Sequence, residues 1–335
     1  MEDINVLKSC ALRIGACLLF ALPLAAPAAA QEPETVEAPR YFGGHHFIPS
    51  TIVPDPFIST TFMSTTGFGK AINLVVPIYN LDGEKISEVS SNIGFMLLEF
   101  DYQQAISQRF ALRAAVSASA RVGTSAEAIL AEGISALYGY NIGGTASLVR
   151  KVNWQLSATA DLRGNTLYSV APLDFARAVA NEVENGDTTG AVQAAEDTLL
   201  GKGDNLRILG GLRGAYTPAV WIGFTGFVEA GMGEKFENGS SNTSVVNFGA
   251  SVSFDFNPLT GTPLGLLGTL RNESLSEKGD DQGGNALSYG FGLFYTGRRF
   301  FSLGLENTWS QLTQNDTDKK IEVAQARIVL RYDFR

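Results

Sequence analysis

Residues 324–334 alternate without a break. Ala324, Ala326, Ile328, Leu330, Tyr332 and Phe334 are apolar or aromatic. The positions between and around them, Val323, Gln325, Arg327, Val329, Arg331, Asp333 and Arg335, are mostly polar. Successive side chains of a strand point to opposite faces, so this stretch is greasy on one side and charged on the other. A soluble two-sheet protein accounts for one such strand, with its polar face in water. It does not account for a chain in which the same rhythm recurs from end to end.

The rhythm does recur. Met96, Leu98, Phe100 and Tyr102 oppose Glu99 and Asp101, and Leu112, Ala114, Val116 and Ala118 oppose Arg113, Ser117, Ser119 and Arg121. Tyr138, Tyr140 and Ile142 oppose Asn141 and Thr145; Trp154, Leu156, Ala158 and Leu162 oppose Gln155, Thr159, Asp161 and Arg163. Ile208 and Leu212 oppose Arg207 and Arg213, Phe224 and Val228 oppose Glu229, and Val252 and Phe254 oppose Ser253 and Asp255. Leu266 and Leu270 oppose Arg271 and Glu273, Phe291 and Leu293 oppose glycines, and Leu303 and Leu305 oppose Glu306. A less regular strand over 57–78, holding Gly67 and Gly69, and the last one bring the number to about 12. Connections alternate in length. Residues 107–109, 151–153, 217–219, 257–262 and 296–299 are tight, and those between are long.

Beyond residue 30 no apolar run approaches the roughly 20 residues of a membrane helix. A chain of this pattern that spans a bilayer does so as a closed barrel, because in lipid every backbone group needs an internal partner. The expected fold is all-β: a single transmembrane antiparallel up-and-down β-barrel over 57–335. The C-terminal stretch, apolar at every second place with an aromatic at 334, resembles the last strand of Gram-negative outer-membrane β-barrels, although Arg335 follows the aromatic. The resemblance implies a cell-outer-membrane location, surrounding lipid, and delivery by the barrel-assembly machinery through that strand.

Residues 1–30 read as a secretory signal: Lys8 and Arg13, an apolar run over 14–26, and Ala28-Ala29-Ala30 before Gln31. Both cysteines, Cys10 and Cys17, fall inside it, so cleavage leaves a chain without thiols. Residues 31–56 carry Pro33, Pro39, Pro49, Pro54 and Pro56 and read as a linker, periplasmic or tucked into the barrel mouth. Two helix-like insertions, 125–131 and 172–201, fall among the long connections. The larger is either a folded surface loop or a segment that enters and constricts the lumen.

The only histidines, His45 and His46, lie in the linker, so no strand supplies a histidine base. An enzyme is not expected, nor a cofactor or metal, since two adjacent histidines fall short of a ligand set. A net charge of -9 argues against nucleic acid. What remains is the inward charge: Arg113, Arg121, Arg163, Arg207, Arg213, Arg271, Arg327 and Arg331 against Glu99, Asp101, Asp161, Glu229, Asp255, Glu273, Glu306 and Asp333. The candidate lumen lining is Arg113, Arg121, Asp161, Arg163, Arg207, Arg213, Glu229, Arg271, Glu273, Glu306, Arg327 and Arg331. Two readings follow: a passive channel or small-solute transport protein with a charged lumen, or a structural, surface-exposed barrel filled by ion-paired side chains.

Overall fold

The computed structural model describes residues 40–79, 85–123, 134–170, 200–235, 242–277, 284–314 and 320–334. The expected signal segment, the helix-like insertion 125–131 and residues 172–199 of the larger one lie outside these residues, while 200 and 201, expected in that insertion, belong to a strand. Twelve strands form one closed antiparallel barrel: β3 (Thr61–Tyr79), β4 (Lys85–Ala105), β5 (Phe110–Gly123), β6 (Ile134–Arg150), β7 (Trp154–Val170), β8 (Leu200–Ala219), β9 (Ile222–Lys235), β10 (Asn242–Asp255), β11 (Leu264–Glu277), β12 (Gly284–Arg298), β13 (Phe301–Gln314) and β14 (Lys320–Asp333). Each pairs with its sequence neighbour, and β14 closes on β3 with Asp333 opposite Thr61 and Glu322 opposite Ile72. No edge strand is left, so every ladder donor and acceptor has a partner strand.

The side-chain alternation sets the two faces. Outward positions of every strand carry large exposed apolar groups, among them Phe68, Met96, Ile142, Ile208, Met232, Leu305 and Ile328. Several of their aromatic members pair near the two ends. Tyr332 packs on Phe334, Phe62 on Phe100 and Trp221 on Phe254 near the short turns, while Tyr289 stacks on Trp309 and Tyr138 meets Tyr168 nearer the other end. Along β13 the Phe301–Tyr332 and Trp309–Ala324 rows are eight residues apart. That is about 26 Å of strand, or about 20 Å of membrane normal at the usual tilt, close to the apolar band of such barrels.

Several boundaries differ from the sequence expectation. The barrel begins at Thr61 rather than at residue 57, because Phe57 is drawn into the lumen. Two tight turns lie further along the chain, at 220–221 and 299–300, with β8 running through Pro218 at a register shift between Tyr216 and Ala219. Proline is tolerated there because the irregular register asks no ladder hydrogen bond of it. The one described helix, α1 (Asn257–Thr260), is not in a long outer connection but in the 256–263 turn at the opposite end. Pro258 starts it, and Gly261 ends it with φ of 70°.

Residues 40–60 do not hang free. They form a short hairpin, β1 (Tyr41–Phe42) and β2 (His45–His46), and then an extended segment that lies inside the barrel at its short-turn end. Gly43 and Gly44 supply the hairpin turn with φ of 57° and 81°, the left-handed values that a two-residue turn of this twist requires. A side chain at Gly43 would also run into Thr217, and one at Gly44 into Val220. The segment buries Phe42, Phe47, Ile48, Ile52, Val53 and Phe57 against inward apolar positions of the wall. Ile48 meets Met63, Leu267, Phe294 and Val329; Phe42, Phe47 and Phe57 gather with Ala215; Ile52 and Val53 pack on Phe227. Each large side chain buried in this way contributes about 1.5–3 kcal/mol relative to leaving it in water.

Candidate functional site: the lumen and its plug

The plug is held by polar groups as well as by its apolar contacts. Extended backbone inside a barrel has carbonyls and amides that need partners, and the wall provides them. The Gln155 amide and Ser157 hydroxyl on β7 both donate to the Pro56 carbonyl, each at 2.7 Å. Gln103 on β4 donates to the carbonyls of Phe57 at 2.8 Å and Ser59 at 3.0 Å. Glu306 on β13 accepts from the Thr51 amide at 2.9 Å and the Ser50 hydroxyl at 3.2 Å, while Arg327 on β14 reaches the Thr51 hydroxyl. Asp55 is the ionic centre of the segment. It pairs with Arg40 and accepts from Arg331 at 2.9 Å, and Arg331 in turn reaches Asp333 at 3.3 Å. Burial alone would raise the Asp55 carboxyl, but Arg40 and Arg331 outweigh it and hold the group well below the usual carboxylate range.

Of the two places open to the linker, periplasm or barrel mouth, residues 40–56 take the second, and His45 is buried in the lumen with them. Its Nε2 lies 2.9 Å from the Ser253 hydroxyl on β10, and its Nδ1 lies 3.2 Å from the Val220 carbonyl. Only a donor can face a carbonyl, so the proton sits on Nδ1 and Nε2 accepts from Ser253. The pair has the polarity of a serine activated by histidine, but both residues are fully buried and no carboxylate orients the ring. It anchors the hairpin to β10. Gly223 makes this possible, since a Cβ there would strike His45 and Phe47.

Burial lowers the His45 imidazole from 6.5 to about 4; burial, with Arg40 beside it, lowers His46 to about 3. Both rings are therefore neutral when the hairpin is docked, and an undocked hairpin binds more protons below pH 6.5. Docking is at full strength above that pH. It weakens as pH falls from about 6.5 toward 3, by up to tenfold per histidine per pH unit. Proteolysis of residues 40–56 in the folded barrel should accelerate between pH 7 and pH 4, and His46→Gln should flatten that dependence.

Beyond the plug, the inward charges pair among themselves. Arg213 lies 2.8 Å from Asp161 and 2.7 Å from Glu229; Arg163 lies 3.0 Å and 2.8 Å from the same two carboxylates. Arg113 grips Asp101 through Nε at 2.8 Å. Arg271 and Arg207 share Glu273 at 2.7 Å and 3.4 Å. The sequence set is thus split. Asp161, Glu229, Arg163 and Arg213 form one cluster, Arg207, Arg271 and Glu273 another, and Glu306, Arg327 and Arg331 are turned to the plug. Arg121 has no ion-pair partner among the described residues.

Plug and pairs leave a cavity of about 780 Å³. Ser50, Thr51, Ile52 and Pro54 of the plug border it, with Arg113, Arg121, Arg163, Glu229, Arg271 and Arg327 among its walls.

No family model and no curated protein sequence matches this chain. Solved structures do. An outer membrane channel from Pseudomonas putida F1 superposes with a TM-score of 0.50 at 10% identity, covering 86% of this chain and 100% of the other. The fold is that of an outer-membrane β-barrel. This barrel is also similar to the β domain of the Bordetella autotransporter BrkA, with a TM-score of 0.46 at 10% identity over 82% of this chain and 100% of that one. The translocator domain of the autotransporter NalP from Neisseria meningitidis gives 0.45 at 10% identity, covering 82% and 88%. At these identities the likeness concerns the barrel itself.

Proposed function

We propose that this barrel resides in the outer membrane and is a channel or transport protein for small solutes. Its charged chamber is closed at the short-turn, periplasmic end by residues 40–60. A solute that enters the chamber from the other end crosses to the periplasm only when that segment moves. The observation that carries the reading is the cavity of about 780 Å³ bounded on one side by the plug. The buried Arg213 cluster favours the second reading, a structural barrel whose inward charges neutralise one another. At twelve strands those pairs and the plug together still leave the chamber unfilled, which favours the transport reading. The function is taken as non-enzymatic, the His45–Ser253 pair being sealed from the chamber. Cleavage after Ala30, delivery through β14 and no nucleic-acid partner complete the proposal.

Single-channel recording of the refolded protein tests it. The barrel with residues 31–56 intact should be silent or open briefly, and deletion of 40–56 should give a steady conductance. A silent deletion variant that remains folded, or an intact barrel already conducting at the same level, would contradict the transport reading.

A further inference from the structure

The chamber is two-natured. Inward positions of a water-filled barrel are ordinarily polar, and Glu99, Arg113, Glu229 and Arg327 line the cavity in that way. Further from the plug, Ile93, Phe95, Leu137, Leu312, Ile321 and Val323 all face the cavity. The strand register groups them. Leu312 is opposite Ile321, Val323 is opposite Ala71, and Ala71 is opposite Ile93, so the apolar positions run across β13, β14, β3 and β4 as one wall. Phe95 lies on the next row, opposite Gly69 on one side and Arg121 on the other. A Cβ at Gly69 would strike the Phe95 ring, so the ring lies across the bare backbone of β3.

Arg121 is the charge on that row. Its ladder neighbours are Phe95 and Ser135, and it borders the cavity. Every other arginine bordering the cavity is committed: Arg113 to Asp101, Arg163 to Asp161 and Glu229, Arg271 to Glu273, and Arg327 to Thr51 and Gln325. Glu99, the cavity carboxylate outside those pairs, lies four residues from Phe95 along β4, toward the plug. A guanidinium without a carboxylate among the described residues, set beside an apolar wall, matches an anion that carries an apolar body. It offers planar, two-pronged donation to a carboxylate, and the wall takes the hydrocarbon part out of water.

We propose that the chamber binds small organic carboxylates with an apolar body, the carboxylate on Arg121 and the body against Phe95 and its neighbours. This rests on the transport reading and names the substrate class for it.

Calorimetry of the full chain in lipid nanodiscs, with empty nanodiscs subtracted, provides the test. Benzoate is the probe, benzyl alcohol the neutral match and acetate the carboxylate without a body. Benzoate should bind more tightly than either. Arg121→Gln should cost benzoate about tenfold or more and bring it level with benzyl alcohol, while Arg121→Lys keeps part of the preference. Phe95→Ser should weaken benzoate and benzyl alcohol by similar factors and leave acetate unchanged. Equal binding of acetate and benzoate, an unchanged Arg121→Gln, or no binding of benzoate would each overturn the assignment. Those results would not touch the plug, whose opening is read by conductance.

Discussion

Leu305→Arg should cost about 2–4 kcal/mol of barrel stability, the penalty for an arginine at the bilayer midplane. Leu305 is more than half exposed on the outer face, opposite Ile328 on β14 and Leu293 on β12. Its row lies four residues from the Phe301–Tyr332 row and four from the Trp309–Ala324 row, halfway between them. The depth dependence of the penalty makes this the position where it is largest. Ser119→Arg is the matched control, since Ser119 borders the cavity and an added guanidinium there has room and water. Ser251 would not serve, because it is buried and hydrogen-bonded to Thr225 at 2.5 Å. Refolding titrations into lipid should therefore separate Leu305→Arg from Ser119→Arg by most of that figure. Equal costs at the two would mean that the inner and outer faces have been exchanged or that the outer face does not meet lipid.

Arg213→Ala should be at least as costly, about 3–5 kcal/mol, for a different reason. Arg213, Asp161 and Glu229 are each less than 5% exposed, and the guanidinium lies within 2.8 Å of both carboxylates. Truncating it leaves two buried anions sharing Arg163, which is itself partly exposed. The cost belongs to the stranded carboxylates, not to the pair as such. Arg213→Leu combined with Asp161→Asn and Glu229→Gln should then recover most of the loss. Arg163→Ala should cost less than Arg213→Ala. If the triple variant is no more stable than Arg213→Ala, the penalty lies in packing rather than in charge.

The barrel was legible because its signal is repeated. A period of two fixes which face each residue takes, and one misplaced residue would turn a whole strand inside out. Tyr332 and Phe334 outward, Arg331 and Asp333 inward, follow from parity alone. The plug was not legible in the same way, since residues 40–60 have no period: hairpin, glycine turn and proline-bounded segment each follow a local rule. A signal for it was nonetheless present. Phe227, Leu267, Phe294 and Val329 are apolar at inward parity, which a water-filled lumen does not explain. They are the counterparts of Ile48, Ile52 and Val53. The pairing of inward charges was beyond parity for another reason. Parity places Arg121 and Arg213 on the same face, but only the register decides that one meets two carboxylates and the other meets Phe95.

The occupied lumen is the claim on which both the closed channel and the chamber depend, and cysteine protection measures it directly. No cysteine occurs beyond residue 17, so in a chain made from residue 31 onward a single introduced thiol reports alone. Ser59→Cys replaces a side chain 2% exposed by one of nearly the same size, and Val152→Cys, at a turn position 83% exposed, gives the open reference. With a bulky membrane-impermeant maleimide on the folded barrel at pH 7, Cys at 59 should react orders of magnitude more slowly than Cys at 152, and denaturation should make the two rates equal. Equal rates in the folded barrel would place residues 40–60 outside the lumen and contradict the account.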